Sequence, residues 1–344
     1  MSLAGPKVLG GATPKAVLEI DLFGLDSPGG YGQVSAYERV RLAYAELKWE
    51  NDVIRFGQDH ELILGSVPEG LGHLAYPVNY FAGSLGWREP GIGYFHTIPM
   101  AESKLELALQ VIKSDWESPQ DFGFPTPAGT NNLNDLDVDL GQLSGLFGVE
   151  ARVKYTSEHL TGFVAGHWNH VAGTKNNDLV SPLPGVTSRD FDVVAGVLGF
   201  KVSGGGVTFY VSGYAGQNLG PLLGEQLQFI TSNNVFEVGG WAQLLYAITP
   251  HLNVSIVGGT AQPKGSDIEA AALATETPGM GGAKSPSNPL RATNTVFGGM
   301  VRYQDGGFAI GPEFHHAIAT QEDQYGTTVT IDGNQGMLSG MYFF

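Results

Sequence analysis

Residues 148–156 read GVEARVKYT, and their alternation decides the fold. Val149, Ala151, Val153 and Tyr155 share one parity, while Glu150, Arg152 and Lys154 share the other. A period of two with one wet face marks a half-buried strand rather than a helix. PKAVLEIDLF (14–23) repeats the pattern, with Leu18, Ile20 and Leu22 set against Glu19 and Asp21. Comparable runs recur near 36–49, 53–58, 92–98, 103–113, 143–155, 160–171, 191–202, 207–215, 235–248, 252–261, 293–303, 308–318 and 334–344. With the run at 15–23 they make about fourteen strands, and strong helical patterns are essentially missing.

The connectors between these runs alternate in length. Short ones fall at 50–52, 156–159, 203–206, 249–251 and 304–307; long ones fall near 59–87, 114–142, 172–190, 216–234, 262–292 and 319–333. A meander with one short-turn end and one long-loop end is the pattern of a transmembrane barrel. The expectation is an all-β chain, 1–344 forming a single antiparallel up-and-down transmembrane β-barrel. The outward parity agrees: Phe147, Val149, Val153; Val194, Leu198, Phe200; Phe236, Val238, Leu244, Tyr246; and Leu252, Val254, Ile256 carry no charge. Tyr44, Trp49, Tyr155, Trp168, Tyr246, Tyr303 and Tyr342 fall near strand ends, where amphipathic rings suit a bilayer interface. One run breaks parity, because Val40, Leu42 and Tyr44 are followed by Glu46 and Lys48. Either a bulge resets the register or those charges lie beyond the hydrocarbon.

Composition narrows the function. The chain of 344 residues carries a formal charge of −16 and no cysteine. No disulfide framework or thiolate site is available, and the acidic balance argues against a nucleic-acid partner. No apolar run reaches the roughly 20 residues that a membrane helix needs. The N-terminus, MSLAGPKVLGGATPK, lacks the pattern of a signal peptide. The surplus acid lies mostly in the long connectors. The inward parity is roughly balanced, with Glu19, Asp21, Glu106, Glu150, Glu237 and Glu313 against Arg39, Arg41, Arg55, Arg152, Lys154, Lys201 and Arg302. Arg39, Arg41 and Arg55 fall on adjacent strands and can form a basic ladder in a pore. QDHELILGSVPEG (58–70) opens a long, partly apolar connector with Asp59, His60 and Glu61. Folded inward, the segment 59–87 would narrow the lumen and set carboxylates across from guanidinium groups.

KAVLEIDLFG, RVRLAYAELKWENDVIRFGQD and GWREPGIGY, within roughly residues 10–98, resemble the DcaP-like outer-membrane porins. That family shows an acidic strand ending in FFG, an R-x-R-x-A-Y strand, a G-Q-x-W loop start and an R-x-P-Q-I-R strand. Arg39, Arg41 and Tyr44, then Gly57 and Gln58, then Arg88, Pro90 and Ile92 occupy the matching places. Asp59-His60 stands where Thr-Trp is usual, and Gly91 and Gly93 depart from the last motif. The resemblance implies a passive, trimeric pore of sixteen strands, constricted by the loop after the fifth. On that pattern the chain begins late, having lost a signal peptide and one or two first strands; a fourteen-strand closure is the alternative.

The implied function is an outer-membrane diffusion channel for small hydrophilic or anionic solutes, with no enzyme activity and no cofactor. Lipid, lipopolysaccharide and the barrel-assembly machinery would be its partners. The terminal GMLSGMYFF resembles the insertion signal of such barrels, through Tyr342 and Phe344. A barrel enzyme of lipase or protease type and a soluble carbohydrate-binding β protein are the alternatives; no Ser/His or Asp/His motif is evident, although a dispersed triad leaves no motif. No metal site is expected. DLDVD (135–139) lacks the glycine and glutamate of a Ca²⁺ loop, GMGGAKS (279–285) misses the phosphate-loop pattern, and HWNH (167–170) puts its histidines on opposite faces.

Overall fold

The structure, a computed structural model, describes residues 2–25, 36–72, 79–80, 82–113, 146–172, 190–222, 224, 233–274, 290–322 and 326–342. Its strands are β1 (Ser2–Ala4), β2 (Thr13–Leu25), β3 (Ala36–Lys48), β4 (Asp52–His60), β5 (Arg88–Met100), β6 (Ser103–Lys113), β7 (Phe147–Ser157) and β8 (Leu160–Ala172). They continue as β9 (Asp190–Gly204), β10 (Val207–Gln217), β11 (Phe236–Ala247), β12 (Leu252–Pro263), β13 (Leu290–Asp305), β14 (Phe308–Glu322) and β15 (Thr328–Tyr342). Each pairs antiparallel with its chain neighbours in one 15-stranded sheet.

All fourteen sequence-derived runs hold strands, and β1 at Ser2–Ala4 falls in SLAGPKV (2–8), which the sequence also offers as a strand end. β15 begins earlier than the terminal aromatic stretch, at Thr328, and β14 runs on to Glu322. The connection between them is therefore 323–327 rather than the long segment 319–333. Within the connector near 262–292 a helix, α1 (Gly265–Ala274), forms where none was read.

The parity break in β3 is a bulge. Glu19 of β2 pairs with Leu42 but the next residue, Ile20, pairs with Val40, so Arg41 is the extra residue. Val40 faces out and Leu42 and Glu46 face in. The Gln58 side-chain amide donates to the freed carbonyls of Val40 and Arg41 at 3.0 and 3.1 Å. Gly57, one residue earlier, holds φ at +120°, which a side chain rarely adopts. A Cβ there would run into the Ala43 carbonyl oxygen and lie 2.8 Å from the Tyr44 Cα. Gly57→Ala is therefore expected to destabilise the barrel by about 1–3 kcal/mol, seen as a lower temperature for loss of the compact, SDS-resistant form.

Outward rows match the expected lipid face. β9 alternates strictly, with Val194, Leu198 and Phe200 exposed on one side and Phe191, Val193, Ala195 and Val197 buried on the other. From Phe191 to Gly199 its inner face is thus apolar. Inside, Phe163, Val193, Val197 and Tyr214 form an apolar cluster with Ile63, Leu85, Leu219 and Leu222. Two connectors, one between β4 and β5 and one between β10 and β11, fold back against this wall.

The connector 61–87 shows how far the sheet curls. Glu150 on β7 accepts the backbone N–H of Leu62, and Glu313 on β14 accepts those of Leu71 and Gly72. β7 and β14 are seven steps apart, or roughly 34 Å in a flat sheet at about 4.8 Å per strand. The chain from Leu62 to Leu71 spans at most about 30 Å fully extended, and Leu64 N–H to Glu61 O and Gly65 N–H to Ile63 O turns shorten it. The sheet has to wrap around this segment.

A candidate pore constriction

β4 continues through His60, so Gln58, Asp59 and His60 are wall residues and the inward segment starts at Glu61. From there its course is set by wall acceptors. Leu62 is held by Glu150, Gly65 lies against the Phe163 ring, and Glu69 donates its N–H to the Gln243 side chain at 2.8 Å. Gln243 returns a hydrogen bond to the Glu69 carbonyl at 2.7 Å. The Glu69 carboxylate accepts from the Tyr210 hydroxyl at 2.6 Å and from Arg302 at 3.3 Å. After the Glu313 anchor, the segment returns past β11, where Gly83 (φ +119°) lies so close to Gly240 that a Cβ would clash with its carbonyl. Gly86 N–H then donates to Leu222 O at 2.8 Å, and the chain enters β5.

Filling one side of the lumen leaves an opening on the other. A cavity of ≈ 290 Å³ lies between the inward segment and strands β3, β4, β5 and β7. Arg41, Arg55, Asp59, His60, Arg88, Phe95 and Arg152 line it from the wall, and Glu61, Leu62, Leu64, Ser66, Val67 and Tyr80 line it from the segment. Arg39 forms a two-nitrogen pair with Asp21, at 2.6 and 3.1 Å. Arg41 sits 2.8 Å from Glu19 and 3.8 Å from Asp21. Arg55 bridges Glu46, at 2.8 Å, and Asp59, and stacks 4.4 Å over the Tyr44 ring. Arg152 reaches Glu106 at 3.0 Å and the Leu62 carbonyl at 3.4 Å.

Arg88 differs. Its guanidinium lies 3.9 Å over the Trp87 ring, and among the described residues no carboxylate forms an ion pair with it. Arg41 and Arg39 repel it. Asp21 acts on it in the opposite sense, but is itself paired with Arg39, so Arg88 is left as a charge that attracts an anion. Lys154 lies on the same inward parity of β7 as Arg152, and His60 stands beside Asp59 at 3.8 Å.

The acids Asp59 and Glu61 line the same cavity as the arginines. Asp59 is paired to Arg55, and Glu61 turns into the wall, 3% exposed. There Trp87 N–H donates to Glu61 Oε2 at 2.5 Å. Burial, together with the Glu150 charge, pushes the Glu61 carboxyl up to about 8. His167 on β8 completes the group, its Nδ1 2.9 Å from Glu150 Oε1. The sequence reading missed this cluster. Glu150 and His167 share the inward parity of adjacent strands and pair directly in register, a signal that could have been read; the path that brings Glu61 to them could not.

Of the C-terminal pair, Tyr342 is exposed at the end of β15. Phe344 lies outside the described residues, as do 135–139 and 279–285. His170 faces away from His167 and pairs with Asp192 at 2.8 Å.

No protein-family model matches the chain, and none of the curated proteins matches it by sequence. Solved structures do match. The outer-membrane channel DcaP of Acinetobacter baumannii superposes with a TM-score of 0.69 at 12% identity, covering 99% of this chain and 84% of that one. An anion-selective porin from Comamonas acidovorans gives 0.53 at 12% identity, covering 99% and 88%. OmpT of Vibrio cholerae, an outer membrane protein in its trimer form, gives 0.50 at 12% identity, covering 98% and 88%. The fold is that of the outer-membrane β-barrels, and it is similar to that of the DcaP channel, whose family the motifs within residues 10–98 resemble.

Proposed function

We propose that the chain is an outer-membrane diffusion channel that passes small hydrophilic solutes and favours anions. The observation that carries this reading is the arginine-lined opening left between the inward segment and strands β3 to β7. Arg88, unpaired with any described carboxylate, gives that opening an excess of positive field although the chain as a whole is acidic. The channel and the anion-selective porin among its structural neighbours favour the same reading. A pore works by field and width, so no group has to change protonation or form a bond, and the chain is read as a non-enzyme. The trimeric neighbour favours a homotrimer, and the charge-free outer rows suit lipid contact.

Liposome swelling tests the reading. Proteoliposomes should swell faster in an anionic sugar acid than in an amino sugar of equal size, with a neutral sugar between them. Equal rates for all three would remove the charge preference, and no swelling in any would remove the pore. Because the chain has no cysteine, Ser66→Cys offers a second test. Ser66 lines the cavity, so an anionic methanethiosulfonate should modify it faster than a cationic one of similar size. The reverse order would place a negative field there.

A further inference from the structure

Glu61, Glu150 and His167 are each buried, at 3%, 0% and 5% exposure. One donor atom from each lies within 4.8 Å of the others. Among the described residues, no lysine or arginine forms an ion pair with either glutamate. Arg152, whose charge acts on Glu150, is paired with Glu106 at 3.0 Å. Two adjacent carboxylates buried without a counter-charge cost several kcal/mol unless a cation or a proton joins them. The oxygens facing the inward segment are already fixed, Glu150 Oε2 by Leu62 N–H and Glu61 Oε2 by Trp87 N–H. These backbone donors orient the carboxylates as an outer shell does around a metal. The imidazole turns its Nδ1 to Glu150 Oε1 at 2.9 Å, and its Nε2 is buried with no hydrogen-bond partner.

We infer that Glu61, Glu150 and His167 bind a divalent transition-metal cation, Zn²⁺ best matching the donors, and so staple the inward segment to β7 and β8. One imidazole nitrogen with two carboxylate oxygens suits Zn²⁺, which takes three protein ligands plus a water. Ca²⁺ and Mg²⁺ prefer more oxygens and no imidazole. Ligand atoms in a tetrahedral zinc site stand about 3.4 Å apart, from metal–ligand bonds near 2.1 Å. The widest pair therefore closes by up to about 1.4 Å on binding, and His167 Nδ1 and Glu150 Oε1, now 2.9 Å apart, open by about 0.5 Å, both within reach of small side-chain rotations. The cavity lined by Glu61 and Arg152 gives the ion a route in and room for the water. This site stands apart from the pore reading, since a sealed barrel could hold it equally well.

The test uses the full chain, purified in detergent, stripped with a chelator and dialysed against Zn²⁺. The chain has nine histidines, so the informative quantity is a difference. Wild type should hold one more Zn²⁺ per chain than His167→Ala and than Glu61→Gln. The Glu61 variant alters only the inward segment, leaving the wall unchanged. Substitution with Co²⁺ should give wild type a visible absorption band of a tetrahedral nitrogen–oxygen site, absent in both variants. SDS-resistant, heat-modifiable migration reports that each barrel is intact. Equal zinc content in the three proteins, or a wild type without the cobalt band, would overturn the site and leave the carboxylates held by protons alone.

Discussion

Arg88→Glu is expected to move the zero-current potential under a salt gradient well toward cation preference. The change alters the local charge by two units in an opening lined by Arg41, Arg55 and Arg152. At about 6 Å in water each unit is worth roughly 0.7 kcal/mol on a passing monovalent ion. Two units give about 1.4 kcal/mol, against an anion and in favour of a cation, so each permeability changes about tenfold and their ratio about a hundredfold. The new carboxylate has Arg41 and Arg39 near it, so the variant retains a counter-charge and should assemble. The shift should be large at 0.1 M salt, where the screening length is about 10 Å, and much smaller at 1 M, where it is about 3 Å. An unchanged potential would move Arg88 away from the permeation path.

Glu313→Ala should release the far end of the inward segment. In the native protein both carboxylate oxygens of Glu313 accept backbone N–H groups, Leu71 at 2.6 Å and Gly72 at 2.6 Å, at a site only 4% exposed. Hydrogen bonds to a charged group contribute about 1.5–3 kcal/mol each, so removing both costs the docked state roughly 3–6 kcal/mol. That weakens docking by about a hundredfold to ten-thousandfold. Single-channel recordings should show larger mean conductance and added current noise. Glu313→Gln, which keeps one acceptor, should fall between. If the alanine variant conducts like wild type, the segment is held elsewhere and Glu313 does not set the width.

Strands were legible because each residue's face is set by parity alone, which requires no knowledge of the partner. Val149 and Val153 face out and Glu150 faces in whatever lies across the barrel. The β3 anomaly was also visible, as the switch from Leu42 and Tyr44 to Glu46. Its cause was not, since Arg41 carries no bulge signature; only the pairing of Glu19 with Leu42 and Ile20 with Val40 reveals it. Long-range contacts set what remained hidden. The inner face of β9 is apolar because Leu85 and Leu222 cover it, and neither adjoins β9 in sequence. The arginines were found as candidates, yet their partners divided them. Asp21, Glu19, Glu46, Asp59 and Glu106 neutralise four of them, and Arg88, known at first only through the WREP motif, stands out once those pairs are in place. Glu61, expected at the pore, lines the cavity, but its carboxylate is buried and accepts the Trp87 N–H, a partner that parity does not reveal.

Reconstitution of the purified protein into a planar bilayer tests the pore most directly. The account predicts stepwise, ohmic current increments, with a zero-current potential on the anion side in a salt gradient. Absence of stepwise conductance from protein that is folded and inserted, or openings that favour cations, would contradict it.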